Sequence, residues 1–132
     1  KRKGRANMGL FSGLINNASD ANINDVRKKL ADVLLPTEDI ELAYKLVRDM
    51  VIFTEKRLII IDKQGVTGKK TSYKSYPYRS ISRFTVETTG HFDLDAELHI
   101  FISSALEPAA TLTFSKDRHI VEIQQALAKA VL

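Results

Sequence analysis

The sequence contains no cysteine, and this absence removes a whole group of functions. Disulfide bonds, thiol catalysis and cysteine-ligated metals are excluded for a chain of 132 residues with none. Long apolar runs are also missing. No run approaches the roughly 20 residues that a membrane-spanning helix requires, and the apolar patch near the start is too short for a secretory signal. We therefore predict a cytoplasmic protein.

Positive charge is in excess only at the start of the chain. Of the 20 lysines and arginines, four lie at positions 1, 2, 3 and 5, and the remaining 16 equal the 16 acidic residues in number. Nucleic-acid binding depends on clustered cations that neutralise phosphates. We therefore predict no nucleic-acid partner, and we do not expect membrane contact. Residues 1–8 are interpreted as a basic tail that could be a non-native extension, with Met8 as a candidate start.

Hydrophobic periodicity divides the chain into a helix, a run of strands and a second helix. Apolar residues recur at helical spacing between positions 23 and 34, and Pro36 ends that segment. From Ile40 the period changes to two, and seven short segments separated by turn signals follow as far as position 114. The unbroken Leu58–Ile61 run indicates a strand covered on both faces. The last stripe is helical: Ile120, Ile123, Leu127 and Val131.

These elements predict a mainly β (α+β) fold. We expect a seven-stranded antiparallel β-sandwich or barrel, capped by a C-terminal helix and preceded by an extra N-terminal helix. Residues 9–132 form one domain, with the N-terminal arm and helix at 9–35, the strands at 40–114 and the closing helix at 117–132. The arm holds an apolar patch larger than a free tail should expose. This candidate self-association segment consists of Leu10, Phe11, Leu14 and Ile15.

The stretch QGVTGKKTSY, residues 64–73, raises the question of a phosphate-binding loop. Such a loop needs four residues between its glycines and a lysine followed directly by serine or threonine. Only two residues separate Gly65 from Gly68, and Lys70 separates Lys69 from Thr71. The glycines are instead typical of a hairpin turn. The nearby cations form a candidate anion-binding rim, with solvated charges on a sheet edge as the alternative: Lys69, Lys70 and Lys74.

The stretch HFDLDAELH, residues 91–99, suggests a metal site because a strand would point its histidines and carboxylates to one face. These residues are His91, Asp93, Asp95, Glu97 and His99. Residues two apart on a strand are separated by roughly 6.6 Å, so one ion cannot collect several of them from a single straight strand. We therefore predict no metal, no cofactor and no catalytic residue here. Two of these neighbours plus a ligand from another strand remain an alternative site for a divalent ion.

The third histidine, His119, lies beside the apolar stripe of the closing helix. No local arrangement of serine, histidine and acid marks a hydrolase triad around it. We interpret His119 as a structural residue at the start of the helix.

Four strings in register resemble one protein family from about Met8 to Leu132. The strings are GLFSGLINNAS, FTEKRLIIID, YPYRSISRF and ETTGHFDLDAELHIF. Together with the order of elements, they are similar to the bacterial pleckstrin-homology-like (bacterial PH) domain proteins, small proteins of largely unassigned function. The resemblance implies two nearly orthogonal antiparallel sheets plugged by the C-terminal helix. It also implies a non-enzymatic module, and members of the family assemble into rings.

The resemblance does not imply phosphoinositide binding. Relatives that bind phosphoinositides carry spaced cations in an extended loop between the first two strands. Here only Lys45 and Arg48 lie near that connection. The tryptophan common in the closing helix of eukaryotic members is also missing, because the chain has none.

Three functions are therefore open. The leading hypothesis is a non-enzymatic interaction module that self-assembles into a homo-oligomer, with an unidentified protein partner as a further option. The alternative is a binding module for anionic lipid headgroups or extended peptides, which would use the candidate rim or an open sheet edge. A metal-assisted hydrolase at residues 91–99 is the third hypothesis, and the strand spacing disfavours it.

Overall fold

Two helices flank seven strands in the computed structural model, which describes residues 20–46, 49–64, 70–91, 95–117 and 119–132. The elements are α1 (Asp20–Lys29), β1 (Ile40–Lys45), β2 (Asp49–Thr54), β3 (Arg57–Gln64), β4 (Lys70–Pro77), β5 (Ile81–Thr88), β6 (Ala96–Ile102), β7 (Ala110–Phe114) and α2 (His119–Val131). A short 3₁₀ turn, Tyr78–Ser80, joins β4 to β5. Neither described helix is both long enough and apolar enough to cross a bilayer.

The strands form two antiparallel sheets, and both are simple meanders. The first sheet has the order β1-β2-β3-β4, and the second has the order β5-β6-β7. Among the described residues no ladder joins one sheet to the other, so the fold is an open sandwich. The seven-stranded sandwich with a helix at each end is confirmed. The barrel alternative is wrong, because the turn at Tyr78–Ser80 carries the chain into a new sheet and leaves both sheets with free edges.

The main core lies between the sheets and is completed by α2. Alternate residues of each strand point inward, as the period of two predicted. Ile120, Ile123 and Leu127 of α2 are fully buried in this core. The strand residues that surround them include Leu42, Tyr44, Val51, Phe53, Leu58, Ile60, Leu98, Ile100, Leu112 and Phe114.

A second core covers the outer face of the first sheet. Val26 and Leu30 pack there against Ile52, Ile59 and Ile61, so β3 is buried on both faces as its unbroken apolar run indicated. Helix α1 ends at Lys29, earlier than the spacing up to position 34 suggested. Helix-type hydrogen bonds continue beyond Lys29. The Leu30 N–H donates to the Val26 carbonyl oxygen at 2.9 Å, and the Leu34 N–H donates to the Leu30 carbonyl oxygen at 2.9 Å.

An ion pair between Glu38 and Arg57 ties the segment after α1 to the first sheet. The Glu38 side chain is fully buried, and Arg57 holds it through two hydrogen bonds, from Nε to Oε2 at 2.9 Å and from Nη2 to Oε1 at 2.8 Å. The Thr54 hydroxyl donates to Oε2 at 2.6 Å, and the Leu35 N–H donates to Oε1 at 3.1 Å. Burial by itself would raise the pKa of Glu38, but these hydrogen bonds outweigh it and lower the pKa to about 2.

Arg57 also contacts the chain on either side of this carboxylate. Its Nη2 donates to the Val33 carbonyl oxygen at 2.7 Å, and its Nη1 donates to Ser75 Oγ on β4 at 3.0 Å. One guanidinium therefore joins the turn after α1, the buried acid and the last strand of the first sheet.

Candidate functional site

The sequence predicted that the polar residues of the stretch 91–99 share one face of a strand. The described part of that strand is β6, and its polar face is the outer face of the second sheet. The register sets Glu87 of β5 directly opposite Glu97 of β6, and it sets Thr85 opposite His99. On the other side His99 lies opposite Thr111 of β7. Residues opposite each other in a ladder share a face, so both carboxylates, the imidazole and the hydroxyl of Thr111 lie on the same side of the sheet.

Three of these side chains converge on one point, and we name them the Glu87–Glu97–His99 cluster. The Nε2 atom of His99 lies 3.3 Å from Glu97 Oε1 and 3.9 Å from Glu87 Oε1. One ligand-type atom from each residue lies within 4.8 Å of the other two. The other ring nitrogen, Nδ1, lies 3.1 Å from Thr111 Oγ1. The His99 side chain is mostly buried, whereas both carboxylates are exposed.

A shallow groove of about 410 Å³ opens beside this cluster and shares both glutamates with it. The groove is lined by residues at the ends of β5, β6 and β7: Glu87, Thr88, Thr89, Asp95, Ala96, Glu97, Thr113, Phe114 and Ser115. The exposed lining is more apolar than polar, and its carboxylates and hydroxyls supply oxygen atoms that can hold water or a cation.

At the other end of the same face, a cation stacks on an aromatic ring. Arg83 lies opposite Phe101 in the ladder, and its guanidinium carbon is 3.8 Å from the ring centroid. Phe101 is therefore buried although no described element covers this face. An arginine over an aromatic face is held by cation–π attraction.

Among the described residues, no strand pairs with the outer edge of β5. In the ladder to β6, the Thr89 N–H donates to the Asp95 carbonyl oxygen at 3.3 Å. Antiparallel pairs alternate between bonded and non-bonded, so the odd-numbered residues of β5 point their backbone groups at β6. The even-numbered residues Phe84, Val86 and Thr88 then point theirs away from the sheet. The β4 edge differs because it carries lysines and Pro77, which discourage strand addition.

The candidate anion-binding rim is only partly described. Lys69 lies outside the described residues. Lys70 and Lys74 share one face of β4, about 13 Å apart along the strand, and Lys70 is exposed while Lys74 is half-buried. Asp62 of β3 is opposite Ser72, between the two lysines on that face. This carboxylate reduces the positive charge that the pair presents.

The candidate self-association segment, Leu10, Phe11, Leu14 and Ile15, lies outside the described residues as well.

The expectation of five polar residues along one strand is wrong at its beginning. Strand β6 begins at Ala96, so His91 and Asp95 precede it, and Asp93 lies outside the described residues. A turn follows β5, where the Thr88 hydroxyl donates to the Gly90 carbonyl oxygen at 3.1 Å and accepts from the Gly90 N–H at 3.2 Å. The member of the Glu87–Glu97–His99 cluster that the sequence did not indicate is Glu87, which comes from β5.

His119 is the first residue of α2, and its contacts are those of a structural residue. Its Nδ1 is 2.7 Å from Asp117 Oδ1, and the same carboxylate accepts from the His119 backbone N–H at 2.9 Å. The ring packs against Tyr44 with centroids 5.1 Å apart. Burial, and then the Glu122 carboxylate, raises the pKa of the Tyr44 hydroxyl. Asp117 therefore caps the N-terminus of α2.

A four-stranded and a three-stranded antiparallel sheet with a C-terminal helix completing the core define a pleckstrin-homology-like domain. Solved structures share this architecture. A pleckstrin homology domain from Shewanella amazonensis is 46% identical, with a TM-score of 0.77 over 94% of this chain and 99% of that chain. A DUF1696 family protein with a pleckstrin-homology domain from Shewanella loihica is 46% identical, with a TM-score of 0.69 over 84% of this chain and 94% of that chain.

Sequence comparison gives the same answer at the level of the family. A family model described as "Bacterial PH domain" matches residues 9–131. The uncharacterized protein YjqA of Bacillus subtilis is 55% identical over 121 residues, which are 92% of this chain and 97% of that protein. A second Bacillus subtilis protein, the uncharacterized YozO, is 35% identical over 122 residues, or 92% of this chain and 96% of that protein. The chain belongs to the bacterial PH domain family, as its four strings predicted.

Proposed function

We propose that this chain is a non-enzymatic interaction module that self-assembles into a homo-oligomer through its sheet edges. The observation that carries the proposal is the open edge of β5, which is eight residues long and has no ladder partner on its outer side among the described residues. An edge of this kind presents a row of unpaired N–H and C=O groups that can pair with another chain.

The open sandwich also favours a ring over a simple dimer. Its two sheets end in four different edges, β1 and β4 in the first and β5 and β7 in the second. If β5 of one copy pairs with a different edge of the next copy, the contact is head-to-tail. Such a contact closes into a ring when the rotation between copies divides a full turn.

Light scattering coupled to size-exclusion chromatography tests the assembly itself. At micromolar concentration we expect a molar mass that is a multiple of the 14.8 kDa of one chain. A single peak at the mass of one chain over a range of roughly 1 to 100 µM would contradict self-association.

The role of the β5 edge is tested by a pair of variants at one position. Val86→Pro removes a backbone N–H that points away from β6, and proline is tolerated on a strand when its nitrogen lies at the free edge. Val86→Ala shortens the same side chain but keeps the N–H. We expect Val86→Pro to be monomeric and Val86→Ala to assemble like the wild type, with both folded by circular dichroism. Equal assembly of the two variants would place the contact elsewhere.

A second candidate function is binding of an anionic lipid surface, which is favoured by the shared face of Lys70 and Lys74. Each lysine near an anionic surface contributes about 1 kcal/mol, so Lys70→Gln/Lys74→Gln should weaken sedimentation with phosphatidylserine vesicles by roughly 30-fold. The matched control removes two exposed lysines from α1, Lys28→Gln/Lys29→Gln. Binding that survives high salt, or that the two double variants weaken equally, would count against this function.

A further inference from the structure

We propose that the Glu87–Glu97–His99 cluster binds one divalent transition-metal ion of the zinc class. It offers two carboxylate oxygens and one imidazole nitrogen, which is a donor set that Zn²⁺ accepts. The imidazole favours zinc and its neighbours in the first transition row over magnesium and calcium, which take oxygen ligands.

The distances suit an ion of that size. Zinc bonds to imidazole and carboxylate ligands at about 2.0–2.2 Å, so two ligands of one ion lie at most about 4.4 Å apart. The Nε2 atom of His99 is 3.3 Å from Glu97 Oε1 and 3.9 Å from Glu87 Oε1. Both separations fit. The exposed side chain of Glu87 needs only a small rotation to complete the set, since all three atoms already lie within 4.8 Å.

Thr111 holds the imidazole in the orientation that metal binding requires. Its Oγ1 is 3.1 Å from Nδ1 of His99, and a hydroxyl that accepts from Nδ1–H leaves the Nε2 lone pair directed at the carboxylates. Histidines that bind metals are commonly oriented by a hydrogen bond from the other ring nitrogen. The His99 side chain is also mostly buried, so its position is fixed by packing as well.

The ladder gives an independent reason for a cation at this point. Glu87 and Glu97 are directly opposite each other in the register, and like charges in that relation destabilise a sheet. A bound divalent ion would neutralise both carboxylates. The adjoining groove, which the same two residues help to line, leaves room for water at the coordination positions that three protein ligands do not fill.

Zinc uptake by the full chain tests the proposal. Chelator-treated protein is dialysed against Zn²⁺, and bound metal is measured by elemental analysis, with Mg²⁺ as the control for simple attraction to carboxylates. We expect one zinc per chain and no comparable magnesium. The same sample loaded with Co²⁺ should show visible absorption of a nitrogen- and oxygen-ligated ion. No zinc above the background of a protein-free dialysis would mean that His99 and the two glutamates form only a salt-bridged cluster, and this would overturn the proposal.

Single substitutions locate the ion. His99→Gln and Glu97→Gln should each weaken zinc binding by at least about tenfold, because each removes a ligand. Thr111→Val should weaken it by about tenfold while keeping one zinc per chain, because it removes only the orienting hydrogen bond. Glu107→Gln, which changes an exposed glutamate of the β6–β7 connection, is the matched control and should leave zinc binding unchanged. Zinc binding that is unaffected by His99→Gln in a folded protein would overturn the assignment.

Discussion

Arg57→Met is expected to lower the free energy of unfolding by about 3–5 kcal/mol, because removing one partner of a buried ion pair leaves an uncompensated buried charge. Glu38 is only 1% exposed, so water cannot replace the two hydrogen bonds that Arg57 donates to it. The substitution also removes the guanidinium contacts to Val33 and Ser75. Urea denaturation followed by circular dichroism measures the effect.

Arg27→Met is the matched control, since Arg27 also pairs with an acid of the segment that follows α1. That pair is at the surface, with the Arg27 Nη2 atom 3.5 Å from Asp39 Oδ1 and side chains 44% and 60% exposed. Surface ion pairs contribute about 0–1 kcal/mol. A similar loss of stability in the two variants would show that the Glu38–Arg57 pair has no special role.

The difference between wild type and Arg57→Met should depend on pH in a defined direction. The pKa of Glu38 is lowered in the folded protein to about 2, below its ordinary value of about 4.3. A depressed carboxyl pKa contributes stability above the ordinary pKa, and this contribution is lost as the pH falls toward the folded value. We therefore expect the gap in unfolding free energy to be full at pH 7 and to narrow between about pH 4.5 and pH 2. A gap that stays constant over this range would contradict the charge of Glu38 as its cause.

Leu30→Ala is expected to lower the free energy of unfolding by about 2–5 kcal/mol, the usual range for truncating a buried leucine. Leu30 is fully buried between α1 and the outer face of the first sheet. The matched control is Leu35→Ala, because Leu35 follows in the same segment and is 51% exposed. That change should stay within about 0.5 kcal/mol.

This pair of leucine variants also tests whether the N-terminal helix is part of the domain. If α1 were an appended arm, Leu30→Ala would loosen the helix and leave the unfolding transition of the sheets in place. A single cooperative transition that shifts with Leu30→Ala and not with Leu35→Ala shows that helix and sheets unfold together.

Most of the fold could be predicted from hydrophobic periodicity alone. Alternation marks a strand with one solvent-exposed face, and together with short apolar runs between turn signals it predicted the seven strands. The Leu58–Ile61 run breaks that alternation, and the structure gives the reason: Val26 and Leu30 cover the face that would otherwise meet water. Whether the sheets close into a barrel could not be read this way, because closure depends on hydrogen bonding at edges whose side chains are similar in either arrangement.

Only part of the candidate site could be predicted from the sequence. Glu97 and His99 are two apart on one strand, and this spacing predicted their common face. Glu87 comes from the neighbouring strand, and its place beside them depends on a register that sequence periodicity does not determine. Arg57 and Glu38 were not identified as partners for the same reason. They are 19 residues apart and carry no local motif, so only the folded chain brings them together.

The first sheet is enclosed by apolar packing on both sides, whereas among the described residues no helix or strand packs on the outer face of the second sheet. A substitution at an outward position of the first sheet therefore disturbs the hydrophobic layer between that sheet and the segment of α1 and Leu30. Leu30→Ala disturbs the same layer from the other side of the contact. Exposed outward positions of the second sheet, such as Glu87 and Glu97, can change in charge or size with much less effect on folding. Substitutions at these exposed positions therefore change the surface chemistry of the second sheet while the packed layers of the first sheet keep their structure.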